Sequence, residues 1–284
     1  MNFNRKEYLK NIANETLDII NKGYYINNLN QKIDVRELID KAIENSELIE
    51  NENLIEQDNT SYLEKSNIKN ITAINSATIN TIIELRKKDI KGNIIALNFA
   101  SAKNPGGGFL NGSSAQEESI ARSSALYPCL LSQKKFYEFH KKQGSPLYSH
   151  KMIYSPDVPI FRDDNGKLLS EPILCSFITS PAVNAKVARD RGINENEIRK
   201  NMDIRINKIL DLALNKKPSA IILGAFGCGV FGNNPRDVAD IFASQLVRKV
   251  DKIKDTEIIF SIYDRNGEVV NIFSQEFRKY FRQQ

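Results

Sequence analysis

Residues 94–108 decide how this chain is read. Ile94-Ile95-Ala96-Leu97-Asn98-Phe99-Ala100 is a short apolar run rich in β-formers, and it leads through Ser101-Ala102-Lys103-Asn104-Pro105 into Gly106-Gly107-Gly108. A buried strand that empties into a glycine-rich loop is how open α/β sheets bind anions and nucleotides. Glycine lacks a Cβ, so three in succession let a backbone approach a ligand closely and turn its N–H groups toward it. Eight residues beyond the last glycine stand Gln116-Glu117-Glu118, opening a helical run over 116–131 whose apolar positions Ile120, Leu126 and Leu130 are irregular but helix-compatible. The plain alternative is a turn followed by two acids that complement the helix dipole. A plain turn needs one glycine, so the triple glycine favours an active-site loop.

A second loop of the same kind, Gly224-Ala225-Phe226-Gly227-Cys228-Gly229-Val230-Phe231-Gly232, follows a second apolar run, Ala220-Ile221-Ile222-Leu223. Two such loops in one α/β unit suggest a ligand gripped from both sides. Residues 227–232 also match G-x-G-x-x-G, which raises a dinucleotide fold. The match lies near the C-terminus rather than in a first βαβ unit, and the next helix is expected only after Asn233-Asn234-Pro235. Asp251, about 20 residues on, falls in a charged helix end and not at a strand end. The nicotinamide reading is therefore set aside.

Around these loops, residues 3–66 read as a helix over 6–21, a hairpin-like pair (24–26 against 32–33), a helix over 35–48 and a polar loop over 51–67 with a short extended piece. From residue 68 onward strands and helices alternate. Strands are expected at 70–74, 94–100, 152–158, 173–179, 220–223 and 257–262. Helices are expected at 76–88, 116–131, 194–216 and 236–252 and at the C-terminal end. Such alternation argues a three-layer α/β sandwich. With no Gly/Ser-rich or Pro-rich linker, residues 1–67 are expected to form a helical extension packed on a core of residues 68–284.

The chain resembles the microbial-type poly(ADP-ribose) glycohydrolases. The resemblance is carried by residues 98–109, by Gln116-Glu117-Glu118, by Arg122-Ser123-Ser124-Ala125-Leu126-Tyr127-Pro128, by Met152-Ile153-Tyr154-Ser155-Pro156-Asp157-Val158 and by residues 227–233. It implies a macrodomain, an α/β/α fold with a mixed central sheet, and hydrolysis of ribose–ribose O-glycosidic bonds. That reaction must protonate a leaving hydroxyl and stabilise an oxocarbenium-like sugar, and one carboxylic acid can serve first as acid and then as base. By the family pattern Glu118 matches the catalytic glutamate and Glu117 the residue that holds ribose hydroxyls. Adjacent helical side chains diverge by about 100°, which argues for separate roles rather than a shared proton.

The same pattern implies a pyrophosphate between Gly106, Gly107 and Gly108 on one side and Gly227, Cys228, Gly229, Val230 and Phe231 on the other, held mainly by backbone N–H groups. Asn104 would bond the ribose beside the scissile bond, Phe231 would pack on that sugar, and Gln116 would contact the neighbouring unit or brace the loop. Asn75 and Thr78 are candidates for the adenine, whereas Phe109 and Phe226 are read as core. No cofactor and no metal is implied. The partners would be poly(ADP-ribose) or ADP-ribosylated proteins, with ADP-ribosylated nucleic acid as a further carrier and ADP-ribose as the product. Two other functions share this pocket: removal of a single ADP-ribose from a protein or nucleic acid, and non-catalytic reading of ADP-ribose. A reader has no need for Glu118.

Composition agrees with a globular enzyme: 41% hydrophobic and 26% charged residues, with a net charge of +5 spread over interleaved acids and bases. This mild excess suits a polyanionic substrate, although no nucleic-acid motif is present. No run approaches the ~18 apolar residues of a membrane span. Residues 1–10 are polar, so a cytoplasmic protein without membrane contact is expected. Cys129, Cys175 and Cys228 are widely spaced and read as reduced, Cys228 as a small residue filling a turn. His140 and His150 lack ligand spacing and are read as surface residues. Ser113, Ser114 and Ser119 lack a G-x-S-x-G context. Asp163-Asp164-Asn165-Gly166 is read as a hairpin turn of Asn-Gly type and not as a calcium loop. The basic and aromatic residues 277–282 are read as a closing amphipathic helix.

Overall fold

The computed structural model describes residues 4–50 and 70–281, so the expected polar loop over 51–67 and the boundary at 67/68 lie outside the described residues. Helix α1 (Arg5–Lys22) starts where the Asn4 side chain accepts the Glu7 N–H, and ends at Gly23. Strands β1 (Tyr24–Ile26) and β2 (Lys32–Asp34) pair antiparallel. Next come α2 (Arg36–Glu44), β3 (Glu47–Ile49), β4 (Ile71–Ile74), α3 (Thr78–Lys87) and β5 (Ile94–Phe99). A single 3-10 turn (Phe109–Asn111) precedes α4 (Gln116–Ser123), α5 (Leu126–Ser132) and α6 (Lys134–Gln143). The long strands β6 (Met152–Arg162) and β7 (Leu168–Ser180) lead to α7 (Ala185–Asp190) and α8 (Glu195–Asn215). The chain closes with β8 (Ala220–Leu223), α9 (Pro235–Arg248), a second 3-10 turn (Val250–Lys252), β9 (Glu257–Ser261) and α10 (Glu268–Tyr280).

Seven strands form one mixed sheet in the order β3-β6-β7-β5-β8-β9-β4. The β3, β6 and β7 pairings are antiparallel, and β7/β5, β5/β8, β8/β9 and β9/β4 are parallel. Period-two alternation sends Ile95, Leu97, Ile221, Leu223, Ile258 and Phe260 to one face, against α8, α9 and α10. Ile94, Ala96, Ala220, Ile222 and Phe177 point to the other, against α1 to α6. The result is the expected three-layer α/β/α architecture. Each fully buried aliphatic side chain in these layers contributes roughly 1.5–3 kcal/mol relative to exposure.

Several local expectations change. The helix expected over 35–48 ends at Glu44, because residues 47–49 pair with Met152, Ile153 and Tyr154 and extend the sheet by an edge strand. The helix expected over 116–131 is broken at Ser124, whose extended backbone (φ −146°, ψ 173°) bridges to Ile160. The helix expected over 236–252 gives way after Arg248 to a 3-10 turn. The 163–166 segment does join β6 to β7, as a turn closed by Gly166 N–H to Asp163 O at 3.1 Å. His140, expected at the surface, is fully buried, with Nδ1 2.9 Å from Phe136 O and Nε2 2.9 Å from Ser149 Oγ. Burial pushes it down to about 4 and the half-buried His150 to about 3, so both rings are neutral at physiological pH.

Candidate active site

The four adjacent parallel strands β5, β8, β9 and β4 end at one edge of the sheet, and both glycine loops leave from there. That edge is where open α/β sheets place their ligands. Gln116, first residue of α4, ties the site to the sheet: its Oε1 accepts the Phe99 N–H at 2.9 Å and its Nε2 donates to Leu97 O at 2.7 Å and Thr78 Oγ1 at 3.2 Å. It braces the end of β5 and thereby fixes the phase of the helix that carries Glu117 and Glu118.

The two glutamates occupy different environments. Glu117 is buried: Oε2 accepts the Ser101 N–H at 2.7 Å and Oε1 accepts from Asn98 Nδ2 at 3.3 Å. Burial outweighs these bonds and raises its carboxyl from 4.5 to about 8, so it is protonated at neutral pH. Glu118 is half-buried; its Oε1 accepts the Gly108 N–H at 2.9 Å, while Oε2 has no bond among the described residues.

The first glycine loop is moulded around these acids. Gly107 has φ +59°, and a Cβ there would collide with the Glu118 carboxylate and press on Glu117 Oε2. Its N–H bonds Asn104 O at 3.0 Å. The N–H groups of Gly107 and Gly108 are therefore engaged inside the protein, the second on Glu118. The Asn104 side chain is exposed.

The second loop is held differently. At Gly227 (φ +74°) a Cβ would strike Ala182 and Asn233, and Asn233 Nδ2 clamps the turn through Val183 O (2.8 Å) and Gly227 O (3.0 Å). Beyond it the N–H groups of Gly229, Val230 and Phe231 have no acceptor among the described residues. Val230 is 87% exposed, and a Cβ on Gly229 would meet nothing within 4 Å. Burial pushes the Cys228 thiol up to about 12, which suits a turn-filling residue and not a nucleophile.

A cavity of about 570 Å³ adjoins the second loop and the start of α4, with Thr78, Gln116, Cys228, Gly229 and Tyr263 in its wall; Gly106, Gly107, Gly108, Glu117 and Glu118 do not line it. It is large enough for most of a nucleotide-sized ligand. Among the described residues, no cluster of His, Cys, Asp or Glu could hold a metal ion, and no helix is long and apolar enough to cross a membrane.

A family model for the catalytic domain of microbial-type PARG, poly(ADP-ribose) glycohydrolase, matches residues 13–163, the span that holds the first glycine loop and both glutamates. The chain belongs to this family. A solved poly(ADP-ribose) glycohydrolase from Thermomonospora curvata superposes with a TM-score of 0.86 at 34% identity, covering 97% of this chain and 100% of that one. The same enzyme bound to the inhibitor ADP-HPD gives 0.83 at 32% identity, over 97% and 100% of the two chains. The glycohydrolase from Deinococcus radiodurans in complex with ADP-ribose gives 0.74 at 30%, over 85% of this chain and 97% of that one. No curated protein matches in sequence.

In this microbial-type glycohydrolase the structure brings Glu117, Glu118, Gly106, Gly107 and Gly108 into direct contact. Cys228 and Gly229 share the cavity wall with Gln116. Of the two adenine candidates only Thr78 lines the cavity, since the Asn75 side chain bonds the Asp264 backbone in both directions. Phe109 and Phe226 are buried core, as expected. Sequence reasoning passed over Asp164. Its Oδ1 accepts from Ser119 Oγ at 2.6 Å and its Oδ2 from the Asn80 N–H at 3.0 Å, and burial holds its carboxyl above the usual range. It also passed over Asn98, which joins Glu117 to Thr179 from within β5.

Proposed function

We propose that this glycohydrolase cleaves the ribose–ribose O-glycosidic bond of poly(ADP-ribose) and releases ADP-ribose, with Glu118 as general acid and then general base. The observation that carries this reading is the split between two neighbouring carboxyls: one buried, neutral and fully bonded, the other anchored by a single oxygen. Glu118 Oε2 is the oxygen free to pass a proton to the leaving hydroxyl and to take one back from water. Neutral Glu117 serves as a rigid hydrogen-bonding partner for ribose hydroxyls. The unbonded N–H groups of residues 229–231 are the stronger grip on the pyrophosphate, because those of Gly107 and Gly108 in the first loop are already used. Phe231 packs on the adjacent ribose, and Asn104 reaches its hydroxyls.

Substrate would arrive as poly(ADP-ribose) on a modified protein, or as ADP-ribosylated nucleic acid. We also infer a reducing compartment, the cytoplasm, because Cys129, Cys175 and Cys228 are all free thiols. The test is incubation of the protein with automodified poly(ADP-ribose) substrate. Free ADP-ribose accumulating with time supports the proposal. Tight ADP-ribose binding with no release from polymer would instead make this chain a reader, or a hydrolase of single ADP-ribose groups.

A further inference from the structure

Behind the second glycine loop lies a charge that the reaction does not use. Arg205, on α8, is completely buried. It has no carboxylate partner among the described residues, and donates instead to backbone: Nη1 to Pro181 O at 2.8 Å, and Nη2 to Leu147 O at 2.7 Å and Tyr148 O at 3.3 Å. Burial lowers it to about 9, so it stays cationic. A buried cation bonded to three carbonyls is costly unless those carbonyls must be held in place.

The two segments it ties together are the ones that back the second loop. On one side Pro181 precedes Ala182 and Val183, which meet Gly227 and Asn233, and the Lys186 N–H bonds Phe231 O at 3.0 Å. On the other side Tyr148 adopts φ +55°, a left-handed conformation that a bulky aromatic keeps only when its surroundings over-determine it. Its N–H bonds Ser145 O at 3.4 Å, and Asn184 N–H to Pro146 O at 2.8 Å joins the two segments. The Tyr148 ring is thereby aimed between His140, at 5.8 Å and 84°, and Phe231, at 6.1 Å and 43°.

We propose that Tyr148, locked in its left-handed conformation by Arg205, is a positioning residue for the second loop: its ring sets Phe231 in the orientation that receives the ribose. This rests on the reading of Phe231 given above. Tyr148 touches no reacting atom, so its loss acts on affinity and not on the chemical step.

Three variants test this: Tyr148→Ala, Tyr148→Phe and Arg205→Lys. Each is examined by calorimetry with ADP-ribose, by kcat and KM on polymer, and by amide hydrogen exchange of residues 229–232 in the free protein. Tyr148→Ala is expected to raise Kd and KM together by about tenfold, the scale of one aromatic contact. Its kcat should stay within about twofold, and exchange of the loop amides should accelerate. Tyr148→Phe keeps the ring and should behave as wild type; Arg205→Lys should shift Kd and exchange in the same direction by less. Unchanged exchange and Kd in Tyr148→Ala, or in Arg205→Lys should the alanine variant not fold, would overturn the proposal. So would a Tyr148→Phe protein as impaired as the alanine variant. Accelerated loop exchange in a protein whose wild type releases no ADP-ribose would sink the glycohydrolase reading and leave this one standing.

Discussion

The two glycine loops look alike in sequence and differ in what their backbones do. In the first, the N–H groups of Gly107 and Gly108 turn inward, onto Asn104 and Glu118. In the second, Gly227 is clamped by Asn233, while the N–H groups of residues 229–231 are left without acceptors among the described residues. The first loop is thus a mould around Glu117 and Glu118, while the second leaves N–H groups free for the proposed grip on an anionic ligand. Glycine serves both purposes for different reasons: at Gly107 any side chain would occupy the space of a carboxylate, whereas at Gly229 the room is open.

The sharpest way to break this contrast is to add one methyl group to each loop. Gly107→Ala forces a Cβ onto the Glu118 carboxylate at a left-handed position, so kcat on polymer should fall by about a thousandfold, the middle of what one acid–base group contributes. A variant with wild-type kcat would show that the first loop is not a mould. Glu117→Gln comes next in size and separates the two carboxyls by pH. Because burial raises Glu117 to about 8, the ionised form is disfavoured in the folded state. Its contribution is intact below about pH 4.5 and is lost as pH rises through about 8. Relative to Glu117→Gln, wild type should therefore lose on the order of 3 kcal/mol of stability between pH 5 and 8.5. Parallel melting curves for the two proteins across that range would contradict the assignment. Gly229→Ala should have the smallest effect: an unchanged melting temperature and a KM raised by less than about tenfold, as expected for a perturbed but unblocked phosphate grip. A fall in kcat with KM unchanged would move catalysis to the second loop.

What the sequence made legible was local. Both strand-to-loop junctions and Gln116-Glu117-Glu118 each lie within one short window, and the alternation of periods 2 and 3.6 was enough for three layers. What stayed hidden depends on partners distant in the chain. Glu117 is buried where Asn98 of β5 and Ser101, just beyond the strand, meet the first turn of α4. Asp164 looked like an ordinary turn residue because Asn80 and Ser119, its donors, lie 84 and 45 positions away. Edge strand β3 is three residues long, too short to show a period, and its pairing with β6 decides it. His140 looked like surface in a lysine-rich segment, yet it is packed between Phe136 and Tyr148. Arg205 lies on the apolar stripe of α8 with Ile198, Met202 and Ile209, but its carbonyl partners at 147, 148 and 181 are distant in the chain.

The most direct test of the central claim is a side-by-side measurement of Glu118→Gln and wild type: ADP-ribose release from polymer, with calorimetric binding of free ADP-ribose. The amide keeps the bond from the Gly108 N–H but cannot shuttle a proton. Turnover should therefore drop by about a thousandfold or more while Kd stays within a few-fold of wild type. Normal turnover by Glu118→Gln would contradict the assignment of Glu118 as the acid and base.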